Sequence, residues 1–546
     1  MKVAECINEY FIHKGISHVF GVSGANIEDL YYSINNRGSP TIVLAKNEYN
    51  AASMAMGYYL STKTISVVMT TSGPGILNTI PILAESFTTK IPLVVITGTI
   101  PVALEGQGAF QDTSGKGETF DLLEMVKHCS CFQIMIRDEN AIYKALDQAF
   151  EQALEYKRPA IILIPKDILS KELPPFSKVN FVIIEPRKNP SNLLNAISFC
   201  QSFSNDQTLS PLVILGEEIV HLNNSNSIID FINQTDARVA LTPNSKGCFD
   251  HQDPRFLGLI GIMGHSSVID YLKQTDFIIM IGVKFDLLNR IGIHDLTCQK
   301  NILIINDEES KSLYRLVGKT VCELYGDIVE NMTQICSKID RKKPLPIQLA
   351  HTPSNNSVEY NLKNIISLIQ DSVNDSTNIF VDAGNTGAFV IHHLELRHHS
   401  ICYVSLGMGG MGNSIGVGIG SAAASNKKSY IFLGDGSFLM YGLEIHTAVE
   451  YELPTVFFIF NNNSHGMCAI RENIFLEGDS GLNNFKNSYY ADGIRNIFPS
   501  VHTYDVNNLD QLKVSLDDMV NQNTPCVVSI NIQNNEIPPF KTFYKT

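Results

Sequence analysis

Oxygen-bearing side chains follow two apolar segments whose composition is typical of buried β-strands. The segment "SYIFL" runs into "GDGS" at 434–437, and the segment "TVFFIF" runs into three asparagines at 461–463. If the helical segment "LEIHTAVEY" joins them as neighbouring parallel strands, their carboxyl ends lie about 5 Å apart at one edge of the sheet. Carboxylate, amide and carbonyl oxygens suit Mg²⁺ or Ca²⁺ rather than zinc. The pattern therefore predicts a divalent metal site that contains Asp435 and Asn462.

The glycines of the first turn, Gly434 and Gly436, favour a tight turn whose amides, with Ser437, face a phosphate at the next helix start. Because Mg²⁺ commonly shares its coordination shell with a diphosphate, we predict a metal–diphosphate site. The alternative is a pair of ordinary strand-to-helix turns, in which Asp435 and Asn462 only shape the backbone. The turn lacks the third glycine of a dinucleotide fingerprint, and "SGKGET" lacks the spacing of a P-loop.

Composition restricts the class of protein. The net charge of −14 over 546 residues disfavours nucleic acid or an anionic membrane as a partner. This length predicts about three or four domains. No apolar run approaches the roughly 20 residues that span a bilayer, and the first residues show no signal-peptide pattern. Eleven cysteines without a CxxC pair indicate reduced thiols, so we expect a cytoplasmic location.

Short apolar strands alternate with amphipathic helices in three successive stretches, which is typical of α/β domains with parallel sheets. We predict domains over 1–172, 190–340 and 356–540, separated by polar, proline-bearing segments. The expected fold is α/β, with three doubly wound parallel-sheet domains. The segments predicted to contain strands are "SHVFGV", "TIVLA", "ISVVMTT", "PLVVITG", "AIILIP", "PLVILG", "FIIMIGVKFD", "NILIINDE", "NIFVDAG", "SYIFLGDG", "TVFFIFNNN" and "CVVSINI".

The GDG turn, followed one helix and one strand later by adjacent asparagines, resembles the thiamine diphosphate-binding motif. Acetolactate synthases, pyruvate oxidases and 2-keto-acid decarboxylases carry this motif. The resemblance extends over nearly the whole chain and is strongest to acetolactate synthase-like carboligases. It implies a pyrimidine-binding, a middle and a diphosphate-binding domain. It also implies that Asp435, the Asn462 side chain and the Ser464 carbonyl hold Mg²⁺.

Further segments resemble the cofactor site of the same family. In the glycine-rich run at 405–424, the Gly409 carbonyl would accept from the 4′-amino group and Met411 would support the bent cofactor; close helix packing is the alternative. The segment "KNEYNAASMAMGYYL" places Glu48 against N1′ of the pyrimidine, where a carboxyl group assists proton transfer. The alternative for Glu48 is a solvated glutamate at a helix start.

The loop "TTSGPGILN" at 70–78 matches a family loop that lies beside the cofactor. The resemblance implies cofactor contacts from residues of the first and third domains: Gly24, Glu48, Ser72, Asn78, Gly409, Met411, Gly434, Asp435, Gly436, Ser437, Asn462, Ser464, His465, Gly466 and Met467.

The segments that follow concern the substrate. "GQGAFQDTS" resembles an acetolactate synthase segment in which Phe110 and Gln111 face the substrate, with Gln111 also a catalytic candidate. Simple decarboxylases carry a histidine pair near 112–115 that delivers a proton; this chain has none there, which favours carboligation. Arg471 stands where synthases carry tryptophan and could bind an acceptor carboxylate or phosphate, and His465 could carry protons.

The resemblance implies a thiamine diphosphate- and Mg²⁺-dependent transferase or lyase. It would decarboxylate a 2-keto acid, expected to be pyruvate, and join the acyl carbanion to an aldehyde or keto acceptor. A non-ligating decarboxylase, a flavin-dependent oxidase and a catalytically silent subunit remain alternatives. FAD is left open, since "VILGEEI" lacks the fuller glycine pattern of flavin-containing relatives. Active sites are expected at the interface of a homodimer or homotetramer.

Overall fold

The computed structural model describes residues 1–175, 190–204, 210–222, 226–310, 312, 316–342, 359–397, 400–425, 427–476, 478, 480–533 and 536. These residues form three six-stranded sheets in which all strand pairs are parallel. Helices cover the sheets, as expected for the predicted α/β class. No helix in the described ranges has the length and apolar character needed to cross a bilayer. Both predicted linkers lie mostly outside the described residues.

The first sheet has the strand order β2-β1-β3-β4-β6-β5. Its strands are β1 (His18–Gly21), β2 (Thr41–Leu44), β3 (Val67–Thr71), β4 (Val94–Thr99), β5 (Phe132–Met135) and β6 (Ala160–Pro165). Its helices are α1 (Val3–His13), α2 (Glu28–Arg37), α3 (Glu48–Thr62), α4 (Pro74–Leu77), α5 (Ile80–Thr89), α6 (Leu122–Val126), α7 (Ile142–Tyr156) and α8 (Lys166–Leu169), with 3₁₀ turns at Val102–Leu104 and Glu139–Ala141.

The middle sheet has the order β12-β11-β10-β7-β8-β9. Its strands are β7 (Leu212–Leu215), β8 (Arg238–Leu241), β9 (Phe256–Leu259), β10 (Phe277–Ile281), β11 (Asn301–Asn306) and β12 (Thr320–Tyr325). Its helices are α9 (Pro190–Ser204), α10 (Asn226–Thr235), α11 (Ser266–Gln274), α12 (Leu287–Arg290), α13 (His294–Thr297) and α14 (Ile328–Cys336), with 3₁₀ turns at Glu217–His221 and Pro243–Cys248. This order reverses direction between β7 and β10, where doubly wound sheets bind ligands.

The third sheet, β14-β13-β15-β16-β18-β17, repeats the topology of the first. Its strands are β13 (Thr377–Val381), β14 (Cys402–Val404), β15 (Lys428–Gly434), β16 (Thr455–Asn461), β17 (His502–Val506) and β18 (Cys526–Asn531). Its helices are α15 (Leu362–Gln370), α16 (Asn385–His393), α17 (Asn413–Ala424), α18 (Asp435–Tyr441), α19 (Ile445–Glu450), α20 (Gly466–Phe475), α21 (Tyr490–Ile497) and α22 (Leu509–Val520), with a 3₁₀ turn at Gly442–Glu444.

Helices α3 and α17 hold the first and third domains together, and glycines allow their close approach. A Cβ atom on Gly57 would lie 1.8 Å from the Val417 carbonyl oxygen, and one on Gly420 would lie 1.9 Å from the Met54 carbonyl oxygen. Both distances are far below van der Waals contact, so only glycine fits at these crossings. The helical half of the glycine-rich run therefore serves packing, which was the alternative interpretation of that sequence.

All twelve predicted strands are present. Six strands were not predicted: β5, β8, β9, β12, β14 and β17. Five of them lie at sheet edges. Of these, β5, β9, β12 and β17 are partly exposed, whereas β14 is buried but only three residues long. The predicted helix "LEIHTAVEY" is also divided, since the chain forms α18, a 3₁₀ turn and then α19 between β15 and β16.

Candidate active site

The ends of β15 and β16 bring Asp435 and Asn462 together. The two strands pair in register, with Gly434 opposite Phe460. One carboxylate oxygen of Asp435 accepts the Ser464 N–H at 3.2 Å, and the Asn462 side-chain oxygen accepts the same N–H at 3.1 Å. Two side-chain oxygens from neighbouring strand ends thus converge on one point, as the sequence predicts.

Asp435 is a buried carboxylate whose charge is not balanced by a lysine or arginine among the described residues. It is 2% exposed, and its second oxygen accepts the Gly436 N–H at 2.9 Å. Burial raises the pKa of Asp435 to about 6, although backbone N–H groups of Gly436 and Ser464 oppose that rise. A bound cation would stabilise the charged form of such a buried carboxylate.

The donor set fits a hard divalent cation. Asp435 offers a carboxylate, Asn462 an amide oxygen and Ser464 a backbone carbonyl, which also accepts the Gly466 N–H at 2.9 Å. These are the oxygen types that Mg²⁺ prefers. No group of three or more His, Cys, Asp or Glu side chains in the described ranges is arranged to hold a metal. A metal in this region would therefore depend on a mixed set of this kind.

Position 436 requires glycine because neighbouring side chains leave no room for a Cβ atom, and not because its backbone is left-handed. A Cβ atom at Gly436 would lie 2.7 Å from His465 Nδ1 and 3.2 Å from the terminal methyl carbon of Met411. The His465 ring in turn meets the Phe485 ring edge-on at 4.6 Å between centroids. At Gly434, by contrast, a Cβ would meet nothing within 4 Å, so this side of the turn is open. The structure therefore brings Gly436, His465 and Met411 together beside the strand ends.

Two buried acids that the sequence analysis missed hold the glycine-rich loop before α17. Asp382, at the end of β13, accepts the N–H groups of Gly412 at 2.7 Å and Ser414 at 3.2 Å. Glu85, from α5 of the first domain, accepts the Gly407 N–H at 3.0 Å and also the Met408 N–H. Asp382 could have been found as an acid directly after an apolar strand. Glu85 gives no local signal, because its partners lie in another domain.

Glu48 begins α3, the position that the alternative interpretation gave it, and its carboxylate accepts from the Asn78 side chain at 2.9 Å. The preceding Asn47 caps the helix by accepting the Asn50 N–H at 2.8 Å. A third missed acid, Glu444, accepts the Lys46 N–H at 3.0 and 3.1 Å and so fixes the loop before Glu48. Burial raises the pKa of Glu444 to about 7. The third domain thus orients the loop that carries Glu48.

Tyr49 links the first and third domains. Its hydroxyl donates to the Met411 carbonyl at 3.1 Å, and its ring stacks on the Tyr441 ring at 4.1 Å between centroids. Tyr49 directly follows Glu48, and Met411 is the residue predicted to support the cofactor. Gly409, two residues before Met411, has a φ of +70°, and a Cβ there would meet nothing within 4 Å. The loop is therefore held at its ends and open at Gly409.

The other predicted residues of the first domain differ in their surroundings. Ser72 accepts from the Asn26 side chain at 2.8 Å. Gln111 has a φ of +61°, and a Cβ on Gly73 would lie 3.1 Å from its Cγ. Phe110 is 86% exposed and contributes little to the core of this chain. Gly24 packs against Thr71, since a Cβ there would lie 2.7 Å from that side chain, so in this chain its contact is structural.

The predicted site residues thus form two groups, a first-domain group with Glu48, Ser72, Asn78 and Gln111 and a third-domain group with Asp435 and its neighbours. Glu48 and Asn78 contact each other in the first group, and Asp435 and Asn462 share the Ser464 N–H in the second. The hydrogen bond from Tyr49 to the Met411 carbonyl connects the two domains. Gly466 and Met467 begin α20, in which the Arg471 guanidinium lies 5.1 Å from the centroid of the Phe475 ring.

Comparison with known proteins agrees with this architecture. Three family models match the chain: the N-terminal TPP-binding domain of thiamine pyrophosphate enzymes over 1–118, the central domain over 206–335 and the C-terminal TPP-binding domain over 382–530. The chain belongs to the thiamine pyrophosphate enzyme family, as an acetolactate synthase-like enzyme that depends on thiamine diphosphate.

Its relatives include acetolactate synthases of bacteria and fungi. The chain is 24% identical to the acetolactate synthase isozyme 1 large subunit of Escherichia coli, over 98% of this chain and 96% of that protein. It is 25% identical to the mitochondrial acetolactate synthase catalytic subunit of Saccharomyces cerevisiae, over 87% and 72%. It is 26% identical to the acetolactate synthase large subunit of Buchnera aphidicola subsp. Schizaphis graminum, over 87% and 84%.

Proposed function

We propose that this enzyme decarboxylates a 2-keto acid, with pyruvate as the donor, and joins the acyl unit to an aldehyde or keto acceptor. The observation that carries the proposal is the convergence of Asp435 and Asn462 at the ends of β15 and β16, inside the matched C-terminal domain. The names of the relatives support ligation of two keto acids, and the absence of a histidine pair at 112–115 agrees with it.

In this proposal Asp435, Asn462 and the Ser464 carbonyl would hold Mg²⁺, and Gly436 and Ser437 would lie against the diphosphate of the cofactor. Thiamine diphosphate, when bound, supplies a nucleophilic thiazolium carbon and an electron sink for decarboxylation. Glu48 holds and moves a proton at N1′ of the pyrimidine.

The Gly409 carbonyl orients the 4′-amino group, and Met411 supports the pyrimidine ring. His465, beside Gly436, is the proposed proton carrier on the substrate side.

We further propose that Glu48 and Asp435 of one active site belong to different copies of the chain, in a homodimer or a dimer of dimers. Exposed apolar side chains near the site support this arrangement: Leu439 is 56% exposed, Met440 52%, Leu443 59% and Phe110 86%. Exposed apolar side chains that lie together are typical of a protein interface. Phe110 and Gln111 would then face the substrate across that interface.

Mixing two inactive variants tests the shared site. Glu48→Gln and Asp435→Ala are co-expressed with different tags, and the doubly tagged protein is isolated. If the sites are shared, each mixed dimer has one intact site, and the isolated doubly tagged dimer recovers about half of wild-type activity. If Glu48 and Asp435 act within one chain, the doubly tagged protein stays inactive, as do the two parent variants.

The substrate is tested with purified protein, Mg²⁺, thiamine diphosphate, pyruvate and a panel of carbonyl acceptors, with products identified by mass spectrometry. A ligated hydroxyketone supports the proposal. An aldehyde as sole product indicates a non-ligating decarboxylase, and peroxide indicates an oxidase. No CO₂ from any 2-keto acid, with normal cofactor binding, indicates a silent subunit.

Arg471 is proposed to bind an anionic group on the acceptor, since its guanidinium matches a carboxylate or phosphate. Its replacement by methionine should raise KM for an anionic acceptor and leave an uncharged acceptor unaffected. A cytoplasmic location stays a proposal, and the Saccharomyces cerevisiae relative is named as mitochondrial.

A further inference from the structure

A cavity of about 500 Å³ lies at the carboxyl ends of the middle-domain strands, against the first and third domains. Its wall includes Glu217 and Glu218 after β7, Lys284 after β10 and Asn306 at the end of β11. The strand order reverses between β7 and β10, which is where doubly wound sheets bind nucleotides. The position and volume of this cavity suit a nucleotide cofactor such as FAD. The residues that line it decide whether such a ligand can bind.

A dinucleotide needs free backbone N–H groups at such strand ends to bind its pyrophosphate. In this chain the protein's own carboxylates accept from those groups. Glu217 accepts the Lys284 N–H at 3.1 Å, and Glu218 accepts the Asp307 N–H at 3.0 Å. The donors at the ends of two neighbouring strands, β10 and β11, are therefore already paired.

The turn after β7 also lacks the shape that a pyrophosphate requires. Its only glycine, Gly216, is pressed against the neighbouring strand end, since a Cβ there would lie 2.3 Å from the Gly282 carbonyl oxygen. That glycine serves strand packing and does not open the backbone to a ligand. A five-residue 3₁₀ turn, Glu217–His221, follows in place of a helix whose N-terminus could face a phosphate.

Charge opposes a phosphate as well. Lys90, from the first domain, pairs with Glu218 at 2.6 Å, with Glu308 at 2.9 Å and with Asp307 at 3.2 Å. Its charge is therefore already shared among middle-domain carboxylates. The cavity wall holds six acids and three bases: Glu217, Glu218, Asp286, Glu308, Glu309 and Glu323, with Lys90, Arg158 and Lys284. An anionic ligand would meet net repulsion.

We propose that Glu217 and Glu218 are built-in acceptors that occupy the nucleotide crevice of the middle domain, so that this protein excludes FAD and other phosphate-bearing nucleotides from the cavity. The crevice instead joins the domains: Lys90 crosses to Glu218, Asp307 and Glu308, while Lys157 crosses to Asp307. The proposal concerns binding at this cavity and does not depend on the reaction proposed above.

The test measures nucleotide binding directly. Wild-type protein is titrated with FAD by flavin fluorescence and with ADP by calorimetry, with thiamine diphosphate and Mg²⁺ present. We expect no flavin absorbance in the purified protein and no saturable binding below about 1 mM. Stoichiometric bound FAD, or micromolar affinity for either nucleotide, would overturn the proposal.

The double variant Glu217→Ala/Glu218→Ala frees both N–H groups and should bind ADP at least about tenfold more tightly than wild type. Glu323→Ala is the matched control, because Glu323 lies in the same wall but bonds to the Tyr325 hydroxyl and not to a strand-end N–H. A folded double variant with unchanged affinity, or an equal gain in the control, contradicts the proposal. If the double variant does not fold, Glu217→Ala alone is judged by the same criterion against the same control.

Discussion

Two turns of this molecule begin alike and differ in what balances their acids. Strands β15 and β7 are both apolar, parallel and buried, and each runs into a glycine and then an acid at the carboxyl edge of its sheet. After β15, Asp435 accepts backbone N–H groups and converges with Asn462. After β7 two acids follow the glycine: Glu217 accepts the Lys284 N–H and the Asn289 side chain. The second acid, Glu218, pairs with Lys90, which the first domain supplies.

The difference shows that a strand–glycine–acid sequence does not by itself define a ligand site. The deciding feature is whether another part of the chain delivers a cation to the acid. Burial raises the pKa of both acids, to about 6 at Asp435 and to about 7 at Glu218, so the difference lies in their partners. No lysine or arginine among the described residues pairs with Asp435, so a bound metal would relieve the cost of its charge. Lys90 already provides that balance at Glu218, so the middle-domain turn holds domains together.

The difference between the two turns is tested most directly by replacing Asp435. We expect Asp435→Ala to lose Mg²⁺-dependent affinity for thiamine diphosphate by more than the roughly 10–100-fold that loss of an outer-shell partner costs. Calorimetric titration of the cofactor, with and without Mg²⁺, measures the change. Asp375→Ala is the matched control, because Asp375 precedes β13 at the opposite edge of the same sheet. An equal loss in both variants would remove Asp435 from the proposed metal site.

Glu48 extends the comparison to the first domain, since its described partner is the Asn78 amide. We expect Glu48→Gln to retain cofactor affinity and to lose turnover by about 10²–10⁴-fold, because glutamine cannot exchange a proton at N1′. CO₂ release from pyruvate gives turnover, and calorimetry gives affinity. Glu28→Gln, at the first position of α2, should behave as wild type. Turnover near wild type in Glu48→Gln would contradict the proton role.

Much of the fold and of the site after β15 could be predicted from the sequence, because the patterns that indicate them lie within short continuous segments. Strands such as β15 and β16 are buried on both faces, so they show as continuous apolar runs, and their pairing places Asp435 and Asn462 at one edge. The alternation of strand and helix gave the three α/β domains for the same reason. Glu48 lies at a helix start, as the alternative interpretation had it, and its role at the cofactor stays a prediction.

The features that could not be predicted depend on contacts between domains, which a pattern within one short segment of the sequence does not reveal. Glu85 and Glu444 each accept N–H groups of a loop in another domain, so neither lies in a motif. Lys90 is likewise an ordinary lysine in sequence, and its role appears only when β7 and β11 meet α5. The glycines at 57 and 420 gain their purpose from the crossing of α3 and α17.

The pH dependence of metal binding sharpens the comparison. A metal ligand must be deprotonated, and the pKa of Asp435 is raised to about 6 by burial. Affinity for Mg²⁺ should therefore be constant above pH 7 and fall by about tenfold per pH unit below pH 6, as the protonated fraction rises. Titrations of the holoenzyme between pH 5 and pH 8 measure this. A flat profile across that range would mean that Asp435 does not bind the metal.

The smallest expected effect concerns the turn after β7 and its partner Lys90. In Lys90→Met, the carboxylates of Glu218, Asp307 and Glu308 lose their shared cation while they remain largely buried. Breaking a buried ion pair costs about 3 kcal/mol or more, so the thermal midpoint should fall by about 5 °C or more.

Affinity for Mg²⁺ and thiamine diphosphate should stay unchanged in Lys90→Met, because the proposed metal site lies at the end of another sheet. Lys127→Met is the control: its pair with Glu124 is exposed and worth less than about 1 kcal/mol. Weaker cofactor binding in Lys90→Met at unchanged stability would contradict this comparison, because Lys90 beside β7 would then contribute to cofactor binding.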